Sequence, residues 1–227
     1  MLSYSDFERT GGQLGTNAGG VYRGPDGQKW YLKWPTSDRQ GHNEIMASRF
    51  YDEMGFDAVQ YHPVDNGMVA SRWREGLPDV SSCEDLRGSE TMQEAFAPSA
   101  LIGNWDVVGL VYDNALYDPA TMGEPVFVDF GGSFDTRAMG GHKRFGANSI
   151  PALDGFTDPS INKSAACVFE AMTPELWDRS LGRVRRLTPS QIEEVVWDVS
   201  LAGREARHER LLSRREILLD TDHREVS

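Results

Sequence analysis

The chain has 227 residues, 39% of them apolar and 10% aromatic, enough for one large domain or a two-lobed unit with a real core. Asp and Glu number 35 against 23 Lys and Arg, a net charge of −12, which argues against a general nucleic-acid or membrane-surface binder. Cys83 and Cys167 have neither paired spacing nor a histidine cluster beside them, so neither a disulfide framework nor a zinc site is indicated and a reducing cytoplasm fits best.

Met1 to Asp6 has no basic region followed by an apolar core, and no apolar run has the length of a membrane span. Export by a specialised secretion system would leave no such mark. A glycine-rich stretch from Gly11 to Gly20, containing Gly15, Thr16, Asn17, Ala18, Gly19 and Gly20, leads into a β-type run. Pro25-Asp26-Gly27 is a strong turn signal between β-formers, so the segment reads as a hairpin whose second strand carries Lys33. Glycines let backbone N–H groups approach a phosphate, and a strand-borne ammonium can reach the same phosphates. The alternative is an ordinary flexible loop, and no Walker or Rossmann glycine signature is present.

Asn43 to Gly55 reads as a helix with Glu44 in its first turn, placed to pair with Lys33 or to interact with the helix dipole. Two strands follow around the hairpin turn Asp65-Asn66-Gly67, with a linker near Ser71 to Pro78. A helix around Glu90 to Phe96 and an apolar run over Ala97 to Ile102 come next.

Pro125-Val126-Phe127-Val128 is a short β-type run that ends on Asp129, followed by Phe130, Gly131 and Gly132. Upstream, Asp106 stands just beyond Ala100-Leu101-Ile102, and Asn114 follows eight residues later. Two Asp and one Asn from neighbouring loops supply a candidate base and two oxygen ligands for Mg²⁺, as a phosphoryl-transfer site requires.

Ser133 to Asp158 is glycine-rich and aperiodic, with basic residues at Arg137, Lys143 and Arg144. It reads either as a contact for an acidic substrate or phosphate, or as a solvated charge run. From Ile161 the pattern is helical, with caps at Thr173-Pro174 and Thr188 to Gln191, a last helix over Leu201 to Leu219, and a frayed tail from Asp220. The Arg204 to Arg215 cluster reads as a solvated face. The fold class expected is a two-lobed α+β design, divided at residues 1–75 and 76–227.

These motifs resemble the atypical kinases of the actin-fragmin kinase and HipA-like group, relatives of the phosphatidylinositol 3-/4-kinases within the protein-kinase-like fold. The resemblance runs from about Gly11 to Gly132, and the helical remainder looks like the C-terminal part of small bacterial members. It implies ATP and Mg²⁺ as cofactors, with the loop containing Gly15 to Gly20 over the phosphates, Lys33 on the α- and β-phosphates and Glu44 as its ion-pair partner. Asp106 would be the catalytic base, Asn114 and Asp129 the Mg²⁺ ligands, and Met68 to Trp73, with Val69 and Ser71, the adenine hinge. No His-Arg-Asp precedes the catalytic loop, and the interval from Asp106 to Asn114 is longer than is common in the family. Asp113 is the alternative to Asp106. The activity implied is a kinase acting on a hydroxyl, first of a protein Ser or Thr, with no nucleic-acid or membrane partner and an activator protein if the chain is a delivered effector. The alternatives are a pseudokinase or nucleotide-binding module, and a kinase-fold enzyme that transfers AMP.

Overall fold

A computed structural model describes residues 2–14, 17–121, 123–199 and 203–222. The predicted tail from Asp220 and the start of the predicted last helix at Leu201 lie partly outside these residues.

The first third forms an antiparallel sheet from β1 (Glu8–Arg9), β2 (Gly19–Arg23) and β3 (Lys29–Lys33), then, after helix α1 (Asp38–Glu53), β4 (Tyr61–Val64) and β5 (Met68–Arg72). The strand order is β1-β2-β3-β5-β4. Both predicted hairpins form. In the second, Asn66 and Gly67 both take positive φ, 60° and 74°, the pair of left-handed residues that closes a tight turn in register with strand twist.

Alternation along the strands gives the sheet two faces. One buries Tyr22, Trp30, Leu32, Met68 and Ala70 under Phe7 and Val64, a small core of its own. The other turns Val69 and Tyr61 toward α1 and the main core, and brings Lys33 with them.

Helix α1 starts five residues before the predicted Asn43, because Ser37 caps it, its side chain accepting from the Gln40 N–H. Glu44 is therefore in the second turn and not the first, far enough along the helix to face the end of β3.

The remainder is mainly helical. Helices α2 (Cys83–Gly88), α3 (Glu90–Glu94) and α4 (Phe96–Ile102) are followed by a two-stranded ribbon of β6 (Ala115–Leu116) and β7 (Val126–Phe127). Then come α5 (Ala152–Gly155), α6 (Lys163–Phe169), α7 (Pro174–Arg186), α8 (Pro189–Val199) and α9 (Arg204–Asp220). Thr173 caps α7 with Pro174 at its first position, and Thr188 with Gln191 forms the expected capping box before α8. Edge-to-face contacts of Phe96 with Phe156, Phe169 and Trp177 hold α4 against α6 and α7. Tyr51 of α1 packs on Phe127 and Phe130, which fixes the β7 end against the sheet side of the molecule.

Two expectations are corrected here. Cys83 and Cys167 form a disulfide that joins the start of α2 to α6 with their Cα atoms 6.2 Å apart. A separation of 84 residues carries no local spacing signal, so only the folded helices bring the pair together. The Cys83→Ser/Cys167→Ser variant should lose about 2–4 kcal/mol of unfolding free energy in urea titrations under oxidising conditions. The same loss should follow reduction of the native chain.

The Arg204 to Arg215 cluster is a solvated face only in part: Arg204 and Arg210 are exposed, but the other three arginines are engaged. Arg214 is 2% exposed and donates to the backbone carbonyls of Ala100, Leu101, Gly146 and Ser149. Arg207 donates to Asn43 Oδ1, and Arg215 to the Leu187 carbonyl. Among the described residues, no helix is long and apolar enough to cross a membrane.

Candidate active site

Lys33 ends β3, paired in register with Gly19 on one side and Val69 on the other. Its ammonium donates to Glu44 Oε1 at 2.8 Å and to Asp129 Oδ1 at 2.8 Å, so sheet, helix α1 and the segment after β7 converge on one nitrogen. Glu44 is fully buried, and burial pushes its carboxyl up to about 7 against the pull of Lys33. Burial works against charge on Lys33 as well, but Glu44 and Asp129 together outweigh it and hold the ammonium above the ordinary lysine range. One cation thus serves two carboxylates.

Asp129 makes the sharp turn itself. Its φ is +52°, whereas neither Gly131 nor Gly132 has positive φ, so the glycines are not what turns the chain, as the sequence suggests. Asp tolerates this left-handed region better than most residues. The Asp129 N–H donates to Tyr61 Oη at 3.2 Å, and the Gly131 N–H returns to Asp129 Oδ1 at 3.3 Å. The glycines serve close approach instead: a Cβ on Gly132 would stand 3.0 Å from the Asp106 Cβ.

Asp106 lies past the end of α4, where Gly103 at φ +64° reverses the chain. Asn104 Oδ1 accepts from the Asp106 N–H at 3.3 Å, and Asn114 Nδ2 donates to the Asp106 carbonyl at 2.7 Å. The eight-residue interval is therefore bridged by a side chain, which holds base candidate and ligand candidate together. Burial raises the Asp106 carboxyl to about 6, the Asp129 charge adds to this, and Asn114 partly offsets it.

Two cavities flank this loop pair. The first, about 500 Å³, is lined by Asn17, Tyr31, Lys33, Ser71, Asn114 and Asp129, with Trp73, Leu77 and Leu116 giving it apolar walls. The second, about 640 Å³, is lined by Asp106, Gly132, Phe134, Lys143, Phe145 and others. Residues 103–114 and 128–132 contribute to both, and so form the wall between them.

Of the cofactor-binding residues expected from the sequence, Asn17, Lys33 and Ser71 line the first cavity, while Gly15 and Thr16 lie outside the described residues. Ala18 is exposed, its carbonyl accepting from the Trp34 N–H at 2.8 Å. Gly19 and Gly20 are buried strand residues of β2: a Cβ on Gly19 would come 2.6 Å from the Leu32 carbonyl and 2.8 Å from Tyr31 Oη. Val69 is buried in the main core beside α1 and does not line the cavity. Of the stretch expected as an adenine hinge, Ser71, Arg72 and Trp73 line the cavity.

Sequence reasoning missed Tyr31 and Lys143. Tyr31 Oη hydrogen-bonds with the backbone N–H and carbonyl of Leu14, pinning the glycine-rich stretch across the cavity. Lys143 donates to the carbonyls of Gly103 and Gly132, joining the two loops from behind, and burial lowers its ammonium to about 7. Its membership of a basic run is the one signal that could have marked it.

No protein-family model matches this sequence, and no curated protein does. Among solved structures, the chain is similar to the proinflammatory kinase CtkA of Helicobacter pylori, with a TM-score of 0.60 and 11% identity over 96% of this chain and 94% of that one. An aminoglycoside phosphotransferase of Alicyclobacillus acidocaldarius aligns with a TM-score of 0.40 and 11% identity over 96% and 95% of the two chains. The MAP kinase LmaMPK10 of Leishmania major aligns at 0.25 and 10% over 89% and 68%. The likeness to CtkA is one of fold: this is an α+β protein-kinase-like chain, an antiparallel sheet beside a mainly helical remainder.

Proposed function

We propose that the protein is a phosphotransferase that moves the γ-phosphoryl group of ATP to a hydroxyl, first of a protein Ser or Thr, as in the HipA-like and actin-fragmin kinase group. The observation that carries this reading is Lys33, held at 2.8 Å by both Glu44 and Asp129 at the wall of a cavity that also contains Asn114. A scaffold has no use for three charges on one point, whereas a phosphate site needs a positioned cation flanked by metal-binding oxygens.

Asn114 and Asp129 fit a magnesium site. Glu44 and Asp129 share the Lys33 ammonium, and the Asp129 charge also reaches Asp106, a local negative charge that a divalent cation would neutralise; Mg²⁺ commonly takes only one or two protein oxygens beside phosphates and water. Held there, Mg²⁺ would neutralise the charge on the phosphates.

In this mechanism Lys33 contacts the α- and β-phosphates, and Glu44 keeps its ammonium from turning away. Asp106 accepts the proton of the acceptor hydroxyl as its oxygen bonds to the γ-phosphorus. The bond from that phosphorus to the bridging oxygen breaks and ADP leaves. Asp106 lines the second cavity while Lys33, Asn114 and Asp129 line the first, so donor and acceptor enter from opposite sides of the loop wall. The disulfide supports action in an oxidising compartment over a reducing cytoplasm.

The test is incubation with Mg²⁺ and generic protein substrates, using γ-labelled and α-labelled ATP in parallel, with Asp129→Ala as control. Label from the γ-position alone, lost in the control, is the expected result. Transfer of α-label would replace the reading with nucleotidyl transfer, and nucleotide binding without transfer of either label would favour a binding module or an enzyme lacking its activator.

A further inference from the structure

The second cavity has a composition at odds with the rest of the surface. Among the described residues, Asp106 is the one carboxylate that lines it, against the cations Arg137, Lys143, Arg144, Lys163 and Arg214, on a chain with an acidic excess of 12. Arg214 is consumed by four backbone carbonyls and Lys143 by two. The other three are exposed. Among the described residues the Arg137 side chain makes one hydrogen bond, from Nε to the His142 carbonyl, and none of the three forms an ion pair.

With 35 carboxylates on the chain, leaving these cations unpaired beside one another is an arrangement that self-repulsion opposes unless an anion joins them. Exposed apolar side chains share the same lining: Leu110, 85% exposed, Met139, 72%, and Ile161, 56%. Such side chains in one patch mark a surface that meets a partner.

We infer that this cavity binds the acceptor as an extended peptide segment with Asp or Glu side chains close to the accepting hydroxyl, its carboxylates on Arg137, Arg144 and Lys163 and its apolar side chains on Leu110, Met139 and Ile161. The inference rests on the phosphotransferase reading for the word acceptor, and on the cavity alone for the binding. About 640 Å³ takes a few residues of peptide, and Asp106 on its wall places the base beside any hydroxyl brought in. An anionic membrane is disfavoured as the occupant, because a body of net charge −12 is repelled by such a surface while a short acidic segment meets only the local patch.

The probe is a fluorescein-labelled short peptide with a central Ser flanked by Asp and Glu, compared with its Asn and Gln counterpart by fluorescence anisotropy, without nucleotide. The acidic peptide should bind on the order of tenfold tighter, with the difference shrinking as salt is raised. Arg144→Glu/Lys163→Glu should abolish that preference. Both positions are exposed, and Lys163 opens α6, where a carboxylate suits the helix dipole, so the variant should fold. Arg185→Glu/Arg210→Glu, the same charge change away from the cavity, should leave the preference intact. Equal binding of the two peptides, an unaltered preference in Arg144→Glu/Lys163→Glu, or binding to phosphoinositide vesicles in place of the peptide would each overturn the inference. Binding of a fluorescent ATP analogue and γ-label transfer, followed on the same samples, report on the phosphotransferase reading: their loss with peptide preference retained sinks that reading and leaves the binding site standing.

Discussion

Replacing Asp106 with Asn should lower the rate of γ-phosphoryl transfer by about 10²–10⁴-fold, the range for removing a positioned general base, while ATP binding changes little. The side chain lines the cavity opposite the proposed nucleotide site, and Asn keeps its shape and its backbone link to Asn114. The pH profile sharpens the test. A base acts when deprotonated, and burial with the Asp129 charge puts the Asp106 carboxyl near 6. In the native protein kcat/KM should therefore fall as pH drops through about 6, and the residual rate of Asp106→Asn should lose that limb. An unchanged limb would move the base elsewhere, with Asp113, on the wall of the first cavity, as the next candidate.

Lys33→Met should reduce transfer by about 10²–10³-fold, the scale seen when one preorganised electrostatic donor is removed. It should also destabilise the fold, because Glu44 would keep a buried carboxyl without its ammonium, a loss of roughly 3 kcal/mol when one partner of a buried pair is deleted. The double variant Lys33→Met/Glu44→Gln separates the two effects. It removes the orphaned charge, so urea titration should show most of the stability restored while transfer stays at the single-variant level. Recovery of activity with stability would make the pair an architectural element alone.

What the sequence discloses here is what local chemistry determines. Asp65-Asn66-Gly67 announces its turn because few other residues accept positive φ in succession, and Thr173-Pro174 announces a helix start because its hydroxyl and ring suit only that place. The pairing of Lys33 with Glu44 was legible from the order of strand and helix, even though Ser37 shifts the helix start and places Glu44 one turn deeper. Val69 shows the reverse. Alternation puts it on the face of Ser71, but only the packing of α1 decides that one is core and the other lines the cavity. Lys143, Arg214 and the Cys83–Cys167 bond depend on segments far apart in the chain, and no window of sequence contains them.

The disulfide divides the candidate site by covalent topology. Residues 83 to 167 form a closed ring, and Asp106, Asn114, Asp129 and the cationic residues of the second cavity up to Lys163 all belong to it, while Lys33 and Glu44 do not. A single backbone cut anywhere inside the ring, for example in the exposed stretch around Arg144, leaves one covalent molecule that separates only when reduced. The half that offers the base and the metal oxygens thus stays physically attached through a nick that would split an unbridged chain in two.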